Sequence, residues 1–197
     1  NIGIGEMTGT YMNKYFAADL AKGEVQVLEF MGDNSTVPQQ RQEGFLKTAD
    51  KKFKIVQSFN TNWQRQKAQE QMENFLNTSK PEDIEKIKAV ITQDDEIEMG
   101  VLDAIKAYKG PAKLDIRLIS GVSGRKENLD TFETEKIDQV TYAFSPAMVR
   151  DAVKLGADVL AGKTLEKSYI IKTVEIDRTN VKDFRNSDIY KIRYSIQ

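Results

Sequence analysis

Asp94-Asp95-Glu96, followed by Glu98, is the densest acidic cluster in the sequence. Carboxylates at that density suit several kinds of chemistry. They supply the oxygen ligands that Mg²⁺ or Ca²⁺ prefers. They also suit a helix N-terminus, where free N–H groups and the dipole favour negative charge. On a third reading Asp94 accepts hydrogen bonds from the hydroxyls of a neutral polar ligand such as a sugar. Trp63, the only Trp, is flanked by Thr61, Asn62, Gln64 and Arg65. Such polar neighbours point to an exposed or pocket-lining ring, and a flat apolar ring bordered by amides and carboxylates suits the apolar face of a pyranose. Phe144 is a second aromatic at a predicted strand end, with core packing and ligand contact both open. Arg41, after Gln39-Gln40, is either an ordinary exposed Arg or a planar five-donor fork reaching a polyol. Gly121-Val122-Ser123-Gly124 has the composition of a backbone nest for an anion.

Composition removes other chemistry. The 197 residues include no His and no Cys, which excludes a Ser-His triad, a Cys nucleophile and the usual Cys/His zinc site. Catalytic, metal and cofactor sites are therefore not expected. With 29 Lys and Arg against 30 Asp and Glu, the net charge of −1 lacks the basic excess of a nucleic-acid binder. No apolar run approaches the roughly 18 residues of a membrane span. At 40% apolar and 30% charged, the chain reads as an ordinary globular protein. Its length suits one large domain whose core needs no disulfide or metal.

The elements that must position these residues alternate along the chain. Apolar spacing predicts a helix from Glu6 to Lys22, then a strand over Val25 to Met31. Pro38 opens a helix reaching Lys51, and Phe53 to Phe59 is the next strand. Asn62 is the expected cap of a helix starting at Trp63. A strand over Ala89 to Thr92 and a helix over Asp95 to Tyr108 follow. Leu114 to Ser120 is a strand, Arg125 to Lys136 a helix, and Gln139 to Phe144 a strand. Ser145-Pro146 should cap and open a helix running to Gly162, and Tyr169 to Ile176 is a last strand. Gly3-x-Gly5-x-x-x-Gly9 mimics a dinucleotide fingerprint without the preceding strand it requires, and reads as a loop entering the first helix. Strands each followed by a helix imply a three-layer α/β sandwich around a parallel sheet, Rossmann-like in plan. Ligands of such sheets sit outside the carboxyl ends of the strands, which is where Arg41, Trp63, Asp94, Val122, Ser123 and Phe144 fall.

The order of these strand-end segments resembles the ribose/galactose-type sugar-binding proteins of ABC importers, the type I periplasmic binding proteins. Gln40-Arg41-Gln42-Glu43-Gly44-Phe45 comes first, then Asn62-Trp63-Gln64-Arg65, then Thr92-Gln93-Asp94-Asp95-Glu96-Ile97-Glu98-Met99-Gly100. Ile119-Ser120-Gly121-Val122-Ser123-Gly124 and Phe144-Ser145-Pro146 complete the series.

The resemblance implies two α/β lobes joined by crossing strands, with a monosaccharide or small polyol clamped between them for an ABC permease. It assigns residues 1–144 to the C-terminal, sugar-binding lobe and 145–171 to the N-terminal lobe, whose front part would precede this chain. Residues 172–197 would cross back and form a tail. The sugar contacts it implies are Arg41, Trp63, Asp94, Val122 and Ser123, with Phe144 at the hinge. Ribose binders have an aromatic and an Asp where this chain has Val122 and Ser123, and many have Gln or Asn where it has Phe144. Those departures remove hydroxyl partners and argue against ribose itself.

By the same resemblance the protein works in the periplasm or outside the cell, as a soluble form or a lipoprotein. A sugar-sensing module of a transcription regulator or sensor kinase is the alternative, and a Mg²⁺-dependent site on Asp33, Asp94 and Asp95 a further one. The apolar positions Val149, Val153 and Leu160 predict a dimer through the 145–162 helix when nothing else covers it.

Overall fold

The computed structural model describes residues 1–194. In chain order the elements are α1 (Ile2–Tyr15), α2 (Ala17–Leu20), β1 (Val25–Met31), α3 (Thr36–Thr48), β2 (Phe53–Asn60), α4 (Arg65–Thr78), α5 (Pro81–Ile84), β3 (Ile87–Thr92) and α6 (Asp95–Ala107). Then come β4 (Leu118–Ser123), α7 (Lys126–Thr131), β5 (Asp138–Ala143), α8 (Met148–Leu160), β6 (Val174–Asp177) and α9 (Val181–Asn186), with a π-helical turn at Tyr190–Tyr194.

The strands form one sheet in the order β2-β1-β3-β4-β5-β6. Five run parallel, and β6 pairs antiparallel with β5. Helices cover both faces, so the central strands are apolar on both sides, as Val25, Val27, Leu28 and Phe30 of β1 are. On one face Ile4, Met12 and Phe16 meet Phe45 and Val27. On the other Ala68, Met72 and Phe75 meet Ile97, Val101 and Leu102. The three-layer α/β architecture is thus the one the alternation predicts.

Several local expectations are corrected. Helix α1 starts at Ile2, and its Gly5 lies in the helix, not a loop, at a close approach where a side chain would strike the backbone of α3 at Arg41. The predicted first helix breaks at Phe16, whose ring is fully buried against Tyr15 and Phe53. Asn62 and Trp63 adopt left-handed backbone with φ of 51° and 61°, so Asn62 cannot cap and α4 waits until Arg65. The predicted fourth strand begins late, at Leu118, and α7 ends at Thr131. Ser145 does not cap α8: its hydroxyl donates to the Arg193 carbonyl at 3.2 Å, and Ala147 takes the cap position.

The last strand is shorter than Tyr169 to Ile176 and reverses direction. Helices α5 and α9 were not expected. In the tail, Phe184 and Tyr194 pack with Leu129, Phe132, Ala143 and Ile176 in a third apolar cluster, because the antiparallel β6 edge leaves that side of the sheet uncovered. Helix α8 buries none of its residues: Val153 is 69% and Leu160 91% exposed. Among the described residues, no helix is long and apolar enough to cross a membrane.

Candidate functional site

Parallel strands put all six candidate residues on one edge of the sheet. Arg41 lies on α3 after β1, Trp63 follows β2, and Asp94 follows β3. Val122 and Ser123 end β4, and Phe144 follows β5.

The closest grouping is Arg41, Trp63 and Asp94. The Arg41 guanidinium lies over the Trp63 ring at 5.9 Å from its centroid, within cation–π range. Its Nε donates to Asn1 Oδ1 at 3.2 Å and its Nη1 to the Gln93 carbonyl. Burial pulls the Arg41 pKa down while the Asp94 charge opposes that pull, so the fork is partly desolvated yet still cationic. Asp94 caps α6, accepting from the Glu96 N–H at 2.9 Å, which leaves carboxylate lone pairs for another donor. Burial raises its pKa, against the backbone hydrogen bond and the charges of Arg125 and Arg41.

Trp63 is half-buried and packed against the apolar cluster of α4 and α6 rather than fully exposed. Left-handed backbone at Asn62 and Trp63 folds its ring back over Gly32, and the Trp63 N–H donates to the Gly32 carbonyl at 3.2 Å. Hydrogen bonds from Ser35 and then from the Trp63 side chain hold the Asp33 carboxyl below its ordinary value.

The other candidates sit differently. Val122 is buried among the apolar residues beneath α1 and α3, beside a cavity of about 10 Å³ that Arg41 and Gln93 also line. Ser123 and Phe144 line a separate cavity of about 400 Å³ with Arg125, Tyr190 and Tyr194. Ser123 has φ of 140° and Gly124 of 80°, so the chain turns sharply where β4 ends.

The acidic run disperses instead of converging on a metal. Glu96 pairs with Arg125 at 2.9 Å, whereas Asp95 and Glu98 turn inward and are fully buried. Asp33 is tied to Ser35 and Trp63. Among the described residues, no three acidic side chains are placed to hold an ion.

Sequence reasoning missed Gly32, Asn1 and the acceptor role of Gln93. A Gly directly after an apolar strand was the available signal for the first. Nothing in residue type marks the other two, which act through an amide and a main-chain carbonyl.

Comparison with known proteins finds a periplasmic binding protein domain matching residues 1–164. The chain belongs to the periplasmic binding protein family. This periplasmic binding protein chain is 30% identical over 170 residues to the ribose import binding protein RbsB of Bacillus subtilis, covering 85% of the chain and 50% of that relative. It therefore spans about half the length of the curated relatives it matches. A crystal structure from Mycobacterium smegmatis in complex with β-D-fucofuranose superimposes with a TM-score of 0.81 at 22% identity, covering 97% of this chain and 61% of that one. The fructose-binding periplasmic domain of the hybrid two-component system BT1754 superimposes with a TM-score of 0.77 at 24% identity, covering 94% and 59%. At such identities the superpositions establish the periplasmic binding protein fold.

Proposed function

We propose that this chain supplies one lobe of a non-enzymatic sugar clamp serving an ABC importer, with a monosaccharide or small polyol held between two hinged lobes. The observation that carries the reading is the Arg41–Trp63–Asp94 grouping at the strand ends. An aromatic face, a five-donor fork and a carboxylate with free lone pairs match the apolar ring face, hydroxyl oxygens and hydroxyl hydrogens of a sugar. Ser123 and Phe144 extend the surface toward the hinge. The B. subtilis relative, named for ribose import, supports the ligand class.

Residues 145–171 belong with the second lobe on this reading, and 172–197 cross back. In support, α8 buries nothing, and β6 then rejoins the sheet beside β5. The apolar face left open on α8 is the surface a second copy of the chain would cover. Function lies in the periplasm or outside the cell, in soluble or lipid-anchored form, where closure by the sugar shifts the population that the permease reads.

A form carrying both lobes should bind its sugar tightly, and this chain alone weakly. Calorimetric titration of the two-lobed form tests the site: Arg41→Ala and Trp63→Ala should each weaken binding at least tenfold. Unchanged affinity in both variants overturns the assignment. A sensor role is the second reading, favoured by the likeness to the periplasmic domain of a two-component system. A kinase or DNA-binding segment joined to this chain in its gene would decide for it.

A further inference from the structure

Among the described residues, two carboxylates of the acidic run form no ion pair. Asp95 Oδ1 accepts from Thr141 Oγ1 at 2.7 Å, and Oδ2 accepts from the Gly124 and Arg125 N–H groups at 2.8 and 2.7 Å. Glu98 Oε2 accepts from Asn128 Nδ2 at 2.7 Å and Oε1 from Gln139 Nε2 at 2.9 Å. Both side chains press on one point of β4. A Cβ on Gly121 would lie 2.7 Å from Asp95 Oδ1 and would overlap Glu98 Oε2. The two carboxylates therefore meet over one face of that glycine.

Their surroundings are neutral or acidic on every side. From α7 and β5 come the amides of Asn128 and Gln139 and the hydroxyl of Thr141. From β4 comes only backbone. Just before α6 the nearest further charge is Asp94, and the Arg125 guanidinium is held by Glu96. Arg65 of α4 is held by Asp103 and Glu127. Two buried negative charges this close, with neutral donors alone, carry a desolvation and repulsion cost that one retained proton removes.

Resting on the sugar-clamp reading, we propose that Asp95 and Glu98 are positioning residues that hold one proton between them and so fix the turn carrying Ser123 against Asp94. The ionised Asp95 pins the Gly124 and Arg125 amides, which holds Ser123 and Gly124 in their unusual conformation. The protonated Glu98 lets it do so without repulsion. Directions agree: burial pushes Asp95 up to about 6, and burial together with the Asp95 charge raises Glu98 well above its usual value. The folded chain thus keeps a proton that the unfolded chain releases at the ordinary carboxyl range. This contribution to stability is complete at low pH and is lost as pH rises through the folded values.

Carboxyl-carbon and amide NMR on the 197-residue chain across pH 4–9 tests this without any sugar. At pH 7 the Glu98 carboxyl carbon should show the shift of a protonated acid. As the pair loses its proton, the Gly124 and Arg125 amides should move with it. In Glu98→Gln those amides should hold their neutral-pH positions as pH rises above 7, moving only below neutrality with Asp95 itself, and the urea midpoint should stop falling as pH rises above neutrality. An ionised Glu98 at pH 7 titrating in the ordinary glutamate range, or loop amides that ignore the titration, overturns the proposal. Should Glu98→Gln fail to fold, the wild-type titration alone decides. Failure of sugar binding would leave these spectra unchanged, so the two readings fail separately.

Discussion

The Trp63 indole lies directly on the backbone of Gly32: a Cβ built there would overlap ring carbons Cε2, Cζ2 and Cδ2. The end of β1 is therefore the floor on which the ring from the β2–α4 connection rests, with Arg41 of α3 alongside. Two successive βα units meet at one aromatic ring, and the ring's position depends on the absence of a single methyl group.

Gly32→Ala should accordingly displace the ring and destabilise the chain by about 1–3 kcal/mol, the usual range for overpacking. Trp63 is the sole Trp, so its fluorescence reports on this ring alone. A red-shifted emission and a lowered urea midpoint are expected. An unchanged spectrum would mean that the ring does not rest there.

Asp94 caps α6 and, on the sugar-clamp reading, also binds ligand, and two substitutions separate these roles. Asn is as good an N-cap as Asp, so Asp94→Asn should leave the urea midpoint almost unmoved. Asp94→Ala should cost about 1 kcal/mol. Both should weaken sugar binding by the two-lobed form by about tenfold or more, since hydrogen bonds to charged groups contribute about 1.5–3 kcal/mol.

Acid stability should carry the mark of Asp19. Arg117 donates to both of its carboxylate oxygens, at 2.8 and 3.2 Å, and this pairing holds Asp19 below its ordinary value. A depressed carboxyl contributes stability above its unfolded value and loses it as pH falls. The pair is about one-third exposed, so solvent screening limits it to about 0.5–1 kcal/mol. Asp19→Asn should lower the urea midpoint at pH 7 and converge with wild type by pH 3. Parallel curves at every pH would contradict the assignment.

The open side of α8 should make this chain self-associate. Val149, Val153 and Leu160 are all exposed on a helix that buries nothing. Sedimentation at rising concentration should show a dimer that Val149→Lys with Val153→Lys abolishes. A monomer at all concentrations would be the contrary result.

Strand and helix alternation made the sheet legible, because buried parallel strands such as β1 are mostly apolar, through Val25, Val27, Leu28 and Phe30, and end at a Gly or polar turn. Boundaries failed where one backbone conformation outweighed residue type. Left-handed φ at Asn62 and Trp63 delays α4, and Ser145 is drawn away from capping by the Arg193 carbonyl. The tail was opaque because Phe184 and Tyr194 find their partners on β5, β6 and α7, contacts that no periodicity encodes. Within the acidic run, composition could not tell which carboxylate faces solvent. Helical phase turns Asp95 and Glu98 inward and leaves Asp94 at the edge.

The most direct test of the sugar-clamp account is a ¹H–¹⁵N NMR titration of this chain with monosaccharides and inositol, following the single indole N–H of Trp63 and the amides around Asp94 and Ser123. The account predicts weak, saturable shifts confined to the carboxyl ends of β1 to β5 for at least one sugar, lost in Arg41→Ala. Shifts located elsewhere on the lobe, or none for any sugar in both this chain and its two-lobed form, would contradict it.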